Sequence, residues 1–140
     1  PAALAVARGR LGISPSTAGF VLPLGATMNM SGTALYEGCV VLFVAQVFGI
    51  HLDFAQQLTL VFLSVLSAVA VASIPGGSLP LIAGLLVAFG IPPEGIGIIL
   101  GVDRILDMTR TMTNVGADLV TAAIVDSRQG GPALGTSPVP

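Results

Sequence analysis

Hydrophobic positions along the chain form long runs, and short segments rich in Gly, Pro and polar residues separate them. The runs cover most of residues 16–50, 58–74 and 79–91, and no charged residue lies between Asp53 and Glu94. A transmembrane helix needs about 20 predominantly apolar residues. The first run is long enough for one crossing, and the other two are short. This pattern predicts an all-α integral membrane protein.

A polar break interrupts the first run at a position that should lie at bilayer depth. Residues 26–38 read ATMNMSGTALYEG and contain two glycines. Backbone groups that leave a helix are costly in lipid, so an interruption there must be buried in protein or must bind a ligand. The alternative is a kink that Thr and Ser hydroxyl groups relieve. We expect an interrupted transmembrane helix over residues 16–50.

The two shorter runs flank a tight, glycine-rich segment. Residues 73–78 read SIPGGS, with an apolar arm on either side. Two short arms joined by such a tip predict a re-entrant helical hairpin over residues 54–91, which enters and leaves the bilayer on one side. One long helix kinked at Pro75 is the alternative, and the pair Gly76-Gly77 favours the turn.

Residues 101–125 contain charged and amide side chains in an otherwise apolar sequence. On a helix with about 100° per residue, the polar positions fall within roughly a quarter of the circumference, along a stripe about 22 Å long. We expect an amphipathic helix over residues 95–127 whose stripe faces a cavity or an ion path. The alternative is that these charges only neutralise each other inside a bundle. The stripe consists of Asp103, Asp107, Arg110, Thr111, Asn114 and Asp118.

Composition narrows the classes of function. Only 9% of the 140 residues are charged and mean hydropathy is +0.96, whereas soluble domains carry about 25% charged residues. A net charge of −2 without a basic run gives no support to nucleic-acid binding. One cysteine and one histidine do not suffice for a His/Cys metal site. The sequence contains no Ser-His-Asp set or phosphate loop, so we do not expect an enzyme.

The two ends of the chain suggest how it is embedded in a longer protein and how it is oriented in the membrane. The chain opens at Pro1 without a Met or a signal sequence, so we expect it to be the C-terminal part of a longer protein. Residues 129–140 are rich in Gly, Pro and Ser, and we expect a disordered tail. Arg8, Arg10 and Arg128 lie near the two ends, which the positive-inside rule assigns to the cytoplasm. The predicted location is the cell membrane, with several crossings.

Three motifs together resemble the dicarboxylate/amino acid:cation symporter family, the glutamate transporter homologues. They are LPLGATMNMSGTALYEG at 22–38, SIPGGS at 73–78 and DRILDMTRTMTNVGADL at 103–119. The resemblance covers about residues 1–128 and implies the C-terminal part of a transport domain in a homotrimer embedded in the lipid bilayer. Its implied parts are the end of a first re-entrant hairpin and a turn at 1–15, the interrupted helix at 16–50, a second hairpin acting as gate at 54–91, and the substrate and ion helix at 95–127.

The resemblance implies a site for an acidic amino acid. Arg110 would bind the side-chain carboxylate of the substrate, which a planar guanidinium can hold through two hydrogen bonds. Asp107 would accept the α-amino group. The other implied substrate-binding residues are Thr33, Ile74, Pro75, Gly76, Gly77, Ser78, Thr111 and Asn114.

The resemblance implies coupling ions and no other cofactor. Asp118 with carbonyl groups of Gly25, Asn29 and Asn114 would bind one Na⁺, since small cations prefer oxygen ligands. Thr27 and Met30 would form part of a second sodium site. Ser31 falls in a third sodium site, where most close relatives have Asp in the sequence NMDGT. This loss of charge predicts altered coupling, with fewer sodium ions or with a proton in place of one.

Secondary active symport of aspartate or glutamate by alternating access is therefore the predicted function. A C4-dicarboxylate symporter is one alternative, which Asp107 disfavours, and a neutral amino acid symporter is another, which Arg110 disfavours. A non-transporting structural or channel-like membrane domain is the alternative from another class. Glu37 is either a helix-end partner of the ion region or a protonatable carrier, and the sequence leaves both open.

Overall fold

The computed structural model describes residues 1–70 and 77–130. Every regular element in these ranges is helical, which confirms the predicted all-α class. A single 3₁₀ turn at Pro93–Gly95 accompanies the α-helices. The helices are α1 (Ala2–Gly9), α2 (Pro15–Met28), α3 (Ser31–Val47), α4 (Phe54–Ala70), α5 (Leu79–Ala88), α6 (Ile96–Leu100) and α7 (Asp103–Arg128).

The described residues form two compact units. The first unit comprises residues 1–29 and 114–130, and the second comprises residues 30–70 and 77–113. Helix α7 contributes to both units, because the boundary falls between Thr113 and Asn114.

Small side chains let the helices of the first unit approach closely. Alanines dominate its core, and short side chains permit close backbone contact between membrane helices. A hydrogen-bonded clamp adds to this packing, because the backbone N–H and the hydroxyl of Ser14 both donate to the Asp126 carboxylate, at 3.2 Å and 2.5 Å. The core consists of Ala7, Ile13, Ala18, Leu22, Ala122 and Ala123.

Branched aliphatic side chains build the core of the second unit. Helix α3 supplies one face of this core, and α4 and α5 pack against it. Gly95 allows the 3₁₀ turn to approach α3, because a Cβ atom there would overlap the Val44 side chain. The fully enclosed members include Val41, Val44, Leu60, Ile82, Leu86 and Ile91.

The boundary between α2 and α3 falls inside the predicted polar break. Helix α2 begins with a Ser14 cap, whose side chain accepts the Thr17 N–H, and with Pro15 at its first position. It ends where the Asn29 N–H bonds to the Gly25 carbonyl, and α3 begins at Ser31. Only Asn29 and Met30 are non-helical, so the break is narrower than the polar sequence of residues 26–38 suggests.

The segments predicted as hairpin and substrate helix each contain two α-helices. Helices α4 and α5 fall within residues 54–91, and residues 71–76, with Ile74, Pro75 and Gly76, lie outside the described residues. The predicted helix 95–127 is divided into the short α6 and the long α7. A turn separates the two, in which the Val102 N–H bonds to the Ile99 carbonyl and Asp103 starts the next helix.

Many large apolar side chains are exposed. Phe20, Phe54 and Met112 each expose at least 70% of their surface, whereas soluble proteins bury most such groups. The segment Pro15–Val47, 33 residues long, is long and apolar enough to cross a membrane by length and composition, and α4 and α5 are shorter apolar helices. These exposed surfaces need lipid or protein to cover them.

Candidate functional site

The guanidinium of Arg110 lies at the centre of a polar cluster in the second unit. One terminal nitrogen pairs with the Asp107 carboxylate, three residues earlier on α7, and the other donates to the Ser78 hydroxyl. The side chains of Arg110 and Asp107 are only 9% and 15% exposed. Apolar neighbours on the same helix show the opposite, since Ile105 is 69% exposed and Met112 is 71% exposed.

Tyr36 supports this cluster from helix α3. The Arg110 Cζ atom lies 5.2 Å from the centroid of the Tyr36 ring, within the range of a cation–π contact worth about 0.5–2 kcal/mol. The Tyr36 hydroxyl donates to the Asp103 carboxylate at 2.7 Å. Asp103, which begins α7, therefore fixes the ring on which the guanidinium stacks.

The electrostatics of this cluster depend mainly on the Asp107–Arg110 pair. Arg104 also approaches the Asp107 carboxylate, at 3.9 Å, but its side chain is 71% exposed. Solvent and ions screen such a contact, which contributes about 0–1 kcal/mol. Asp107 and Arg110 together offer one anionic and one cationic group on a single helix face. Such a pair can bind a ligand that carries both an ammonium and a carboxylate group.

The threonines predicted for the substrate site occupy different environments. Thr33 is 1% exposed on α3, and its hydroxyl lies 3.8 Å from the Met30 sulfur. Thr111 is exposed, and its hydroxyl donates to the Asp107 carbonyl of its own helix at 2.9 Å. Gly77 and Ser78 form the turn before α5, and the Ser78 hydroxyl accepts the Arg110 hydrogen bond described above.

Glu37 is a buried acid one residue after Tyr36. Its side chain is fully enclosed, and within the described ranges neither carboxylate oxygen has a hydrogen-bonding partner. The hydroxyl groups of Ser64 and Ser67 are likewise buried without a partner in that part of the chain. A buried carboxylate without a paired opposite charge is costly, so a bound proton or cation would stabilise Glu37 at this position.

A second polar cluster lies in the first unit and contains three of the predicted sodium ligands. The Asn29 side-chain amide donates to the Asp118 carboxylate at 2.8 Å, and Asp118 is 5% exposed. The same carboxylate lies directly against Gly25, where a Cβ atom would collide with it. A carboxylate beside the non-helical end of α2 is a donor set that suits a small hard cation.

Three of the other predicted ion-site residues lie at or near the α2–α3 boundary, and the fourth lies on α7. The Thr27 hydroxyl donates to the Pro23 carbonyl of its own helix at 3.2 Å. Met30 is largely buried at the start of α3, and Ser31 is exposed at the first position of that helix. Asn114 is half-buried on α7 in the first unit. Within residues 1–70 and 77–130, no three His, Cys, Asp or Glu side chains cluster.

The structure thus brings together some of the predicted residues and adds others. Ser78, Asp107 and Arg110 meet in the second unit, and Gly25, Asn29 and Asp118 meet in the first. The sequence analysis missed the role of Tyr36. Its spacing of three residues from Thr33, on one face of α3, is the signal that could have indicated it.

Comparison with known proteins gives a consistent result. Residues 1–128 match the model of the sodium:dicarboxylate symporter family. The chain is 42% identical over 115 residues to an excitatory amino acid transporter of Onchocerca volvulus, and 44% identical over 115 residues to the human excitatory amino acid transporter 2. It is 36% identical over 121 residues to a proton/sodium-glutamate symport protein of Bacillus subtilis (strain 168).

These matches cover most of the chain and a minor part of each relative. They include 82%, 82% and 86% of the chain, but 23%, 20% and 28% of the Onchocerca, human and Bacillus proteins. The family match over residues 1–128 includes the motifs at residues 22–38, 73–78 and 103–119. The chain belongs to the sodium:dicarboxylate symporter family.

Proposed function

We propose that the full-length protein carrying this chain is a symporter of an acidic amino acid, aspartate or glutamate, in the cell membrane. The observation that carries this proposal is the Asp107–Arg110 pair, which is mostly buried on a helix whose apolar residues are exposed. Charges withdrawn from solvent in a membrane protein are costly and usually functional. The names of the relatives, transporters of excitatory amino acids and symporters of glutamate, support the same substrate class.

Each charged group has a proposed partner on the substrate. Arg110 binds the side-chain carboxylate through paired hydrogen bonds, and Asp107 accepts the α-amino group. The backbone of residues 74–78 closes over the substrate. Thr33, Thr111 and Asn114 add neutral hydrogen-bonding groups to the site.

This division of roles separates acidic amino acids from the alternatives. A C4-dicarboxylate has no ammonium group, so the buried Asp107 carboxylate would face a second anion. A neutral amino acid would offer no side-chain carboxylate to the Arg110 guanidinium. Either mismatch leaves a desolvated charge without a substrate partner. A channel-like or structural domain would have no need of the pair, which is why we place that alternative last.

The proposed coupling ion is Na⁺, which binds at two sites. Their ligands come from α2, from the residues that follow α2 and from α7. Asp118, with carbonyls of Gly25, Asn29 and Asn114, forms one site. Thr27 and Met30 contribute to another. Ser31 lacks the carboxylate that a third sodium ion would need, so we propose fewer sodium ions per substrate, or a proton carried by Glu37.

Coupling of uptake to the membrane potential requires that more than one cation accompany each substrate. An acidic amino acid carries one net negative charge, so a single Na⁺ makes the complex neutral and insensitive to membrane potential. A second cation adds about 2.3 kcal/mol per 100 mV, which corresponds to roughly 50-fold accumulation. Two cation sites are therefore the minimum for uptake driven by membrane potential.

Alternating access is the proposed mechanism. Residues 1–128 form the C-terminal part of a transport domain, with the α2–α3 boundary as the interruption of the helix at residues 16–50. The segment at residues 54–91 is the gate, and α7 carries the substrate and ion groups. The full-length protein would be a multi-pass homotrimer in the lipid bilayer.

The test is uptake of radiolabelled L-aspartate by the full-length protein reconstituted in vesicles, with sodium and proton gradients imposed separately. Accumulation driven by an inward sodium gradient supports the assigned sites. Accumulation driven only by protons transfers the coupling role to Glu37. Absence of uptake of either acidic amino acid under both gradients contradicts the proposed function.

A further inference from the structure

Ser78 stands at the first boundary of helix α5 but does not cap that helix. Its side chain makes no capping hydrogen bond, and its backbone is already in the helical region, with φ −83° and ψ −15°. Serine at this position normally satisfies one of the free N–H groups of the first turn. Here the hydroxyl is directed to the Arg110 guanidinium instead.

This contact is shielded from solvent on both sides. Ser78 is 1% exposed, and the Arg110 side chain is 9% exposed. Hydrogen bonds from a charged donor are stronger than neutral ones, and a low local dielectric strengthens them further. The Ser78 contact is therefore a substantial interaction.

The chain itself occupies both terminal nitrogens of the guanidinium. Nη2 pairs with Asp107, and Nη1 donates to Ser78. A third neighbour, the Tyr36 ring, lies over the face of the guanidinium, with Cζ 5.2 Å from the ring centroid. A carboxylate that binds the guanidinium through two hydrogen bonds must use N–H groups in the same plane. A carboxylate that uses the N–H group of Nη1 now bound to Ser78 must displace the Ser78 hydroxyl.

We propose that the Ser78 hydroxyl competes with the substrate carboxylate for Arg110 and so limits the affinity for acidic amino acids. This inference rests on the proposed function, which it refines by naming a specificity-determining residue. The Ser78 hydroxyl accepts one N–H group of Nη1 and links the start of α5 to α7. Binding of the side-chain carboxylate breaks that link. The competition affects only ligands that need Arg110.

The test compares variants of the full-length protein in L-aspartate uptake. Ser78→Ala and Ser78→Gly both remove the hydroxyl, so that failure of one variant to fold leaves the other. Loss of one charge-assisted competitor should lower the apparent KM for aspartate about tenfold, with the sodium dependence unchanged. Ser78→Thr, which retains a hydroxyl, should restore the original KM. Thr109→Val is the matched control, because the Thr109 hydroxyl donates to the Ile105 carbonyl of its own helix.

Two other outcomes overturn the inference. An increased KM in both removal variants would mean that Ser78 donates to the substrate, and an unchanged KM would mean that the contact has no role in affinity. These outcomes are distinct from failure of the proposed function, in which the unmodified protein takes up no acidic amino acid. That result would overturn both proposals.

Discussion

Single residues show most clearly where the chemistry of this chain lies. On α7, Arg110 and Asp107 are more buried than the isoleucine and methionine residues beside them. In the first unit, Asp118 is buried against a glycine and holds the Asn29 amide. Each of these buried positions depends on one small side chain or on one charged group. A single substitution there should therefore change substrate or sodium binding.

Gly25 is the first such position. Gly25→Ala places a methyl group where the Asp118 carboxylate lies, so the carboxylate must move. We expect the sodium concentration for half-maximal aspartate uptake to rise by more than about tenfold, because one charged ligand is displaced. Gly116→Ala on α7 is the control, since its Cβ has no neighbour within 4 Å. Equal sodium dependence in the two variants would contradict the assigned ion site.

The sequence indicated the charged residues of the site but not their supporting contacts. The polar stripe on α7 was predictable because charges in an apolar helix stand out by their period. Tyr36 was not, because an aromatic residue in an apolar helix resembles ordinary packing. The bond from its hydroxyl to Asp103 joins residues 67 positions apart in sequence, and only the folded chain brings them together.

At the scale of elements, hydrogen bonds at helix ends stabilise the first unit. Ser14 at the start of α2 is clamped to Asp126 near the end of α7, one residue beyond the apolar stretch of residues 101–125. Hydrogen bonds from Ser14 hold the pKa of Asp126 below its ordinary value. A lowered pKa in the folded state means that the ionised carboxylate stabilises the fold.

The clamp should therefore depend on pH in a defined direction. Its contribution is complete above the ordinary carboxyl pKa of about 3.9 and is lost as pH falls through the lowered value. We expect Asp126→Asn to reduce the Tm of the full-length protein in detergent by a constant amount between neutral and mildly acidic pH. The difference should shrink below about pH 4.

Ser127→Ala is the matched control for this clamp. The Ser127 hydroxyl donates to the Ile124 carbonyl of its own helix at 2.9 Å. The Tm of the Ser127→Ala variant should equal that of the unmodified protein at every pH. A Tm reduction in Asp126→Asn that persists undiminished in acid would show that the carboxylate charge is not what stabilises the junction.

Helix boundaries were also where prediction from the sequence was weakest. The run at residues 95–100 is apolar and helical in period, so it joins α7 in a pattern-based analysis. The structure separates them at the turn of Gly101 and Val102, where Asp103 starts a helix with an acidic first turn. Residues 26–38 are polar over a long stretch, yet only Asn29 and Met30 leave the helix. Composition indicates that the helix is interrupted, and backbone hydrogen bonds determine how many residues are non-helical.

At the scale of the whole molecule, composition and family agree. Low charge, high hydropathy and exposed large apolar side chains fit a membrane transporter, and the family model covers residues 1–128. The chain spans 20–28% of the length of the relatives described above. Transport is therefore a property to be tested in the full-length protein.

Ser31 is the position at which we expect coupling to differ from that of most close relatives. Ser31 is exposed at the start of α3 and carries no charge. Ser31→Asp adds a carboxylate near the non-helical residues, which should favour an additional cation. We expect a steeper dependence of aspartate uptake on sodium and more charge moved per substrate. The conservative control is Ser31→Asn, and an identical sodium dependence in both variants would contradict a role of charge at this position.

The most direct measurement of the central claim is aspartate uptake by Arg110→Ala beside Arg104→Ala in the full-length protein. Both arginines lie on α7 near Asp107, but Arg104 is exposed and Arg110 is buried. Arg110→Lys tests whether charge without the paired geometry suffices. The account predicts that uptake efficiency falls by more than about 100-fold in Arg110→Ala and changes less than about twofold in Arg104→Ala. Saturable aspartate uptake that survives in Arg110→Ala, or equal loss in both variants, would contradict it.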